Sequence, residues 1–239
     1  MFLKWAFCFV LMATPVLADA PLTADQIVAK VIARDKEVVQ RRKAFDYDID
    51  ITREKLDENG KLVETIKDKT VVKGDHPPSY GTRSNTGNPE DEAKKAAKEE
   101  PFELLKIIDH YTYKLEPDDV VNGEPCYKIA FIPKPDMPYH NREEKVLNSV
   151  SGFIWASKKD FSLMRDQGSL QEPVSVAWIF ATLKEMQFRY DSQLLPNGDY
   201  GPLQVQYRYL VSIPFSYLHE RDTRKMSNFR LDTAAAANK

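Results

Sequence analysis

Three Asn-Gly pairs, Asn59-Gly60, Asn122-Gly123 and Asn197-Gly198, each separate two stretches of alternating polar and apolar residues. Both residues of such a pair tolerate positive φ, which the tightest β-hairpin turns demand. The flanking stretches are AFDYDIDITREKL and KLVETIKDKTVVKG, YTYKLEPDDVV and CYKIAFIP, and MQFRYDSQLL and LQVQYRYLVSI. Three hairpins in one chain predict an antiparallel meander. SGFIWA, SKKD and FSLMR predict a further hairpin, and PVSVAWIF one more strand.

The alternation assigns faces. Met186, Phe188 and Tyr190 interleave with Gln187, Arg189 and Asp191, and Leu203, Val205, Tyr207, Tyr209 and Val211 with Gln204, Gln206 and Arg208. A period of two means that one face of the sheet is buried and the other wet. Asp46, Asp48 and Asp50 take the polar parity of their strand, opposite Phe45, Tyr47, Ile49 and Ile51. Same-face neighbours on a strand lie about 6.6 Å apart, too far for one metal ion to bridge without further ligands. The four histidines, at positions 76, 110, 140 and 219, are scattered, with no paired-His or Cys-x-x-Cys spacing. The aspartates are therefore expected to form a solvated strand face rather than a metal or acid/base site. A phosphate-binding glycine loop and a nucleophile elbow are also missing from the sequence. The expectation is a protein with no catalytic residues, no metal and no cofactor.

Before the strands, PLTADQIVAKVIARDKEVVQRRK reads as a helix. Thr23 and Gln26 are spaced as a capping box, and Ala24, Ile27, Val28, Val31, Ile32, Val38 and Val39 build one apolar stripe that must lie on something. Arg41, Arg42 and Lys43 at its end suit the helix dipole. Between the second and third strands, 75–100 is rich in Pro, Gly, Asn and charge, and reads as a mobile charged insertion. PFELLKIIDHY then carries Phe102, Leu105 and Ile108 on one side of a short helix placed to act as a plug or a lid. The tail 233–239 reads as disordered.

The first twenty residues, MFLKWAFCFVLMATPVLADA, have a positive start at Lys4, an apolar run from Trp5 to Leu17, and small residues at a cleavage position after Ala18 or Ala20. This is the pattern of a signal peptide, and about 13 apolar residues fall short of the roughly 20 that span a bilayer. The mature chain is thus expected to be exported, periplasmic and soluble, as one domain over 21–232. Cys8 leaves with the signal, so Cys126 remains alone without an intrachain disulfide. A net charge of −2 spread over mixed signs gives no footprint for nucleic acid.

In the order of its segments the chain resembles the outer-membrane lipoprotein-sorting family, the LolA/LolB-like lipoprotein carriers. The resemblance is carried by FDYDIDITREKLDENGKLVET after a long first helix, by PFELLKIIDHYTYKLEPDDVVNGEPCYKIAFIPKP, and by SVSGFIWASKKDFSLMR followed by closing strands. It implies an α+β fold, a single antiparallel sheet curled into an open half-barrel with the N-terminal helix and the lid helix over its concave face. It also implies an apolar cavity for a lipid or an acylated lipoprotein. On inward parity the lining is assigned to Tyr47, Ile49, Ile51, Tyr127, Ile129, Phe131, Phe153, Trp155, Phe188, Tyr207 and Tyr209, with Phe102, Leu105 and Ile108 on the lid. Two further readings compete with the carrier. One is an envelope sensor or adaptor that binds a membrane-protein partner through the sheet or the 75–100 insertion. The other, an enzyme working from the Asp46–Asp48–Asp50 face, is the weaker.

Overall fold

The computed structural model describes residues 21–74, 108–175 and 181–231. The segments expected to be a signal peptide (1–20), a charged insertion (75–100) and a disordered tail (233–239), with Phe102, Leu105 and most of PVSVAWIF, lie outside these residues.

Helix α1 (Ala24–Arg42) begins at the expected capping box. The Gln26 backbone N–H donates to Thr23 Oγ1 at 3.3 Å and the Thr23 N–H donates to Gln26 Oε1 at 2.9 Å, so two of the helix's orphan donors are satisfied. Its stripe buries Ala24, Ile27, Val28, Val31 and Val38. The strands follow as β1 (Phe45–Leu56), β2 (Leu62–Val72), β3 (Tyr111–Val121), β4 (Glu124–Pro133), β5 (Val150–Ser157), β6 (Leu163–Leu170), β7 (Val174–Ser175), β8 (Thr182–Leu194), β9 (Tyr200–Ile213) and β10 (Ser216–Leu231), with a one-and-a-half-turn helix α2 (Arg142–Leu147) before β5. All ten strands form one antiparallel sheet in the order β2-β1-β10-β9-β8-β6-β5-β4-β3, with β7 beside β8. Among the described residues the sheet does not close: β2 and β3 are its two edges. This is the open α+β architecture that the hairpin signals and the resemblance implied.

The three Asn-Gly turns join β1 to β2, β3 to β4 and β8 to β9. At the β3–β4 turn both residues take positive φ, Asn122 at 53° and Gly123 at 84°. A Cβ-bearing residue at Gly123 would be strained there whatever the space around it.

Directly opposed residues of an antiparallel pair share a face. The register runs from Ile129 to Ile154, Asp166, Tyr190, Val205, Arg224 and Ile51, tracing one face from β4 to β1. Helix α1 lies on this face, where Ile27, Val28 and Val31 pack with Ile129 and Ala156 and against Tyr127, Leu163 and Ile108. This is the helix face; the other is the outer face.

Charge clasps α1 to the hairpin ends beneath it. Arg34 donates to Asp199 at 2.9 Å and to Asp160 at 3.1 Å, and Arg41 donates to both oxygens of Asp199 at 2.7 and 2.9 Å. The Asp199 side chain is only 9% exposed, and its carboxyl is held below the usual range first by the Arg41 hydrogen bond. A carboxyl with a lowered folded pKa adds stability above its unfolded value of about 3.9, and that stability is lost as pH falls through the folded pKa. Asp199→Ala is expected to lower the unfolding free energy at pH 7 by about 1–3 kcal/mol. In urea melts the difference from the parent should shrink below about pH 4; equal midpoints at pH 7 would show that the clasp contributes nothing.

Candidate functional site

The helix face gathers most of the residues assigned to a cavity. Tyr127, Ile129 and Phe131 on β4, Phe188 on β8, Tyr207 and Tyr209 on β9, and Tyr47, Ile49 and Ile51 on β1 all project from it. Ile108, half-buried, packs against the α1 cluster. These side chains fall into three neighbourhoods. Ile129 and Tyr127 lie with α1. Phe131 packs with Tyr111 and Val150, against Val146 and Leu147 of α2 and against Met186 and Phe188. Tyr47 and Ile49 pack with Val72 and Met226, and Tyr47 stacks on Phe229 at 4.8 Å.

Between these clusters lies a stripe that remains partly open. Met186, Phe188 and Tyr190 of β8 stand opposite Tyr209, Tyr207 and Val205 of β9. None of the six is buried, and Tyr207 is 39% exposed. The floor beside them is backbone: a Cβ at Gly168 would meet the Phe188 ring at 2.7 Å, and one at Gly152 would meet the Gln167 carbonyl oxygen at 2.0 Å and the Phe131 ring at 2.7 Å. The two glycines let the aromatic rings lie flat on the sheet.

Two expected lining residues are elsewhere. Phe153 and Trp155 pair with Ala130 and Lys128, which places them on the outer face. There they pack with Cys126 and Met164. Lys128 Nζ sits 4.7 Å above the Phe153 ring and 5.3 Å from the Trp155 ring, and Trp155 Nε1 donates to Asp119 at 2.9 Å. The physical reason lies in the run Phe153-Ile154-Trp155, which is apolar on both parities, so alternation cannot choose. The register does, setting Ile154 opposite Ile129.

The aspartates of β1 keep the expected parity but only partly the expected exposure. Asp50 is exposed, whereas Asp46 and Asp48 are covered, at 7% and 9%. Asp46 accepts from Lys73 Nζ at 2.8 Å and from the Gly74 N–H at 3.2 Å. A register shift between β1 and β10 brings Asn228 and Arg230 to Asp48, at 3.0 and 3.2 Å, with Lys69 at 3.4 Å. These donors hold both carboxyls below the usual range, Lys73 being the main cause at Asp46 and Asn228 at Asp48. Asp46 and Asp48 thus fasten β2 and β10 to β1. Among the described residues no group of three or more His, Cys, Asp or Glu side chains could hold a metal ion.

On the β10 and β1 side the helix face becomes polar. Asp222 pairs with Arg224 at 3.2 Å and Arg53 at 3.7 Å, and Tyr209 Oη donates to Glu220 at 2.6 Å. A groove of about 150 Å³ opens beside this network, lined in part by Arg53, Glu64, Ile66 and Glu220. That is below the roughly 300 Å³ at which pockets for drug-sized ligands begin.

The sequence reading missed Asp166. It stands on the helix face of β6 with Ile154 on one side and Tyr190 on the other. Its Oδ1 is closed to solvent and has no hydrogen-bond partner among the described residues. Its sequence neighbours Arg165 and Gln167 give no signal, because the apolar neighbours Ile154 and Tyr190 meet it only across the ladders.

No family model and no curated relative matches the chain. Among solved structures it is similar to a DUF1329 family protein from Desulfovibrio piger, with 14% identity, a TM-score of 0.40, and 88% of this chain and 94% of that one covered. It is similar to a LolA superfamily protein from Nitrosomonas europaea, with 14% identity, a TM-score of 0.34, and coverage of 89% and 94%. A putative outer membrane lipoprotein-sorting protein domain from Vibrio parahaemolyticus has 9% identity, a TM-score of 0.36, and coverage of 85% and 92%. At these identities and scores no residue role carries across, and function has to be argued from this chain's own side chains.

Burial pushes the Asp166 carboxyl up to about 7, and a backbone hydrogen bond from Gln167 offsets only part of that rise. For an acid raised in the folded state the sign is the reverse of Asp199. Stability is fullest below the unfolded value of about 3.9 and falls as pH rises toward the folded pKa, by up to about 4 kcal/mol for three units. Asp166→Asn removes this dependence. Urea melts from pH 4 to 8 should show the variant losing less stability than the parent over that range, and parallel curves would show that the carboxyl is solvated.

Proposed function

We propose that the chain is an exported, non-catalytic binding protein of the cell envelope, holding a lipid or an acylated protein by its hydrocarbon against the helix face. The observation that carries this reading is the aromatic stripe of β8 and β9, six apolar or aromatic side chains in the middle of a sheet and none of them buried. Hydrocarbon laid on such a stripe removes both surfaces from water. Each acyl methylene so buried is worth about 0.8 kcal/mol, so two 16-carbon chains carried bare across an aqueous compartment would cost on the order of 25 kcal/mol. The signal-peptide pattern and the resemblance in segment order support an envelope setting. No helix among the described residues is long and apolar enough to cross a membrane.

A second reading, an adaptor for a membrane-protein partner, is favoured by the edge of β2. The strand pairs with β1 on one side, and Leu62, Val63 and Val71 are exposed along it. A partner's extended segment could add there as a further strand.

Native mass spectrometry of the mature protein, with lipid extraction of the same sample, separates the two. The carrier reading expects an added mass that extracts as phospholipid or acyl species. In Tyr207→Glu, which sets a charge on the stripe at an already exposed position, retained lipid should fall several-fold while stability changes by less than about 1 kcal/mol. Protein recovered bare in repeated preparations would overturn the carrier reading.

A further inference from the structure

The helix face is apolar where β6 meets β5 and β8, yet it contains a carboxyl group with one oxygen that no described residue satisfies. Asp166 Oδ1 is out of contact with solvent and has no hydrogen-bond donor among the described residues. The nearby hydroxyls are already committed: Tyr111 Oη donates to the Leu147 carbonyl at 2.6 Å, and Tyr113 Oη to the Ile108 carbonyl at 3.1 Å. Arg165, next in the chain, points to the outer face and pairs with Asp191 at 2.6 Å. The arginines that share the helix face, Arg53 and Arg224, lie on β1 and β10 and are engaged with Asp222. A buried carboxylate with one oxygen unpaired costs stability unless something else donates to it.

Resting on the binding role proposed above, we propose that Asp166 is the anchor for the amine end of an amphiphile whose hydrocarbon lies along the β8–β9 stripe. The placement suits such a ligand. Asp166 is directly opposite Tyr190, the β8 end of the stripe, and Tyr190 is in turn opposite Val205 of β9. An ammonium group supplies N–H donors to the orphan oxygen and a charge to its carboxylate, and such charge-assisted bonds are about twice as strong as neutral ones. A carboxylate amphiphile would meet the opposite situation, a second negative charge beside a carboxyl oxygen shielded from water. The site therefore selects by the sign of the head group, and the stripe binds by chain length. The raised pKa of Asp166 agrees with this: burial disfavours the charged carboxylate, and an arriving cation favours its ionised form.

The test uses mature protein and three probes of equal chain length, dodecylammonium, dodecanol and dodecanoate, titrated calorimetrically below their micellar concentrations at pH 8. The parent is expected to bind dodecylammonium at least tenfold more tightly than dodecanoate, with dodecanol between them. In Asp166→Asn that preference should collapse to within about twofold, while dodecanol affinity is retained. Asp166→Leu serves as a second variant, with the same expectation, should the asparagine variant fold poorly. An ammonium preference that survives in both variants, or dodecylammonium bound no more tightly than dodecanol by the parent, would overturn the anchor and leave the stripe intact. Failure of all three probes to bind the parent would overturn both the anchor and the binding role beneath it.

Discussion

A single-layer sheet has two faces to keep from water, and among the described residues this one has a single long helix with which to do it. Nine strands in line at about 4.8 Å spacing are roughly 38 Å wide, and strands of about eleven residues are roughly 36 Å long. Helix α1, with its 19 residues, is about 28 Å long and about 10 Å across, and so shields on the order of a fifth of one face. Everything else about the described residues follows from how the remaining area is handled. The outer face answers with charge: Arg165 and Arg189 converge on Asp191 at 2.6 Å each, Lys128 lies over Phe153 and Trp155, and Asp46 and Asp48 are fenced by lysine and arginine. The helix face divides. Its β3 to β5 side lies under α1 and α2, its β1 and β10 side is partly covered by ion pairs, and the aromatic stripe lies between.

The pairing of the first strand with the last makes that division possible. Strand β10 has Glu220, Asp222 and Arg224 on the helix face and Arg221, Thr223 and Lys225 on the outer face, so neither parity is apolar over its central stretch. It is held by its ladders to β1 and β9 and by partners such as Arg53, Glu54 and Tyr209. At its far end the register shift near Asn228 (φ 55°) swings Asn228 and Arg230 onto Asp48. A shift of this kind bends and twists a strand more strongly than a regular ladder does.

Much of this was legible in the sequence, and the rest was hidden for identifiable reasons. The three Asn-Gly turns, the Thr23–Gln26 capping box and the clean alternation of β8 and β9 are local signals, and each produced the element it predicted. Strand β10 has no apolar period, because its helix-face positions are filled by ions whose partners are far away in sequence. Phe153 and Trp155 were assigned to the inward face, but Ile154 between them is apolar too, and pairing with β4 puts Ile154 inward and the two aromatics outward. Asp46 and Asp48 were correctly placed on the polar side, but their covering side chains come from β2 and β10, which no single-strand pattern reveals. Asp166 was overlooked for the opposite reason. Its neighbours Arg165 and Gln167 made the segment read as uniformly polar, and the apolar company of Asp166 appears only across the ladders, at Ile154 and Tyr190.

The stripe and Asp166 share a physical logic. Folding gains most where apolar side chains meet one another and polar groups meet donors, and both features forgo that gain at the same part of the sheet. Leaving Tyr207 more than a third exposed forfeits part of its burial energy, and leaving Asp166 Oδ1 unpaired incurs a desolvation penalty that a leucine at that position would not. A chain selected only for stability would have a cheaper solution to both within one substitution each. Their adjacency across the β6–β8 ladder makes them complementary, since a molecule with a hydrocarbon tail and a donor head relieves both deficits in one binding event. That coupling also limits the affinity the site can reach: the ligand is repaid only what the empty fold gave up, a few kcal/mol at the head group and about 0.8 kcal/mol for each methylene covered. On the proposed role, such a site would hold its ligand firmly enough to cross water and release it wherever a membrane or partner offers the tail an equal refuge.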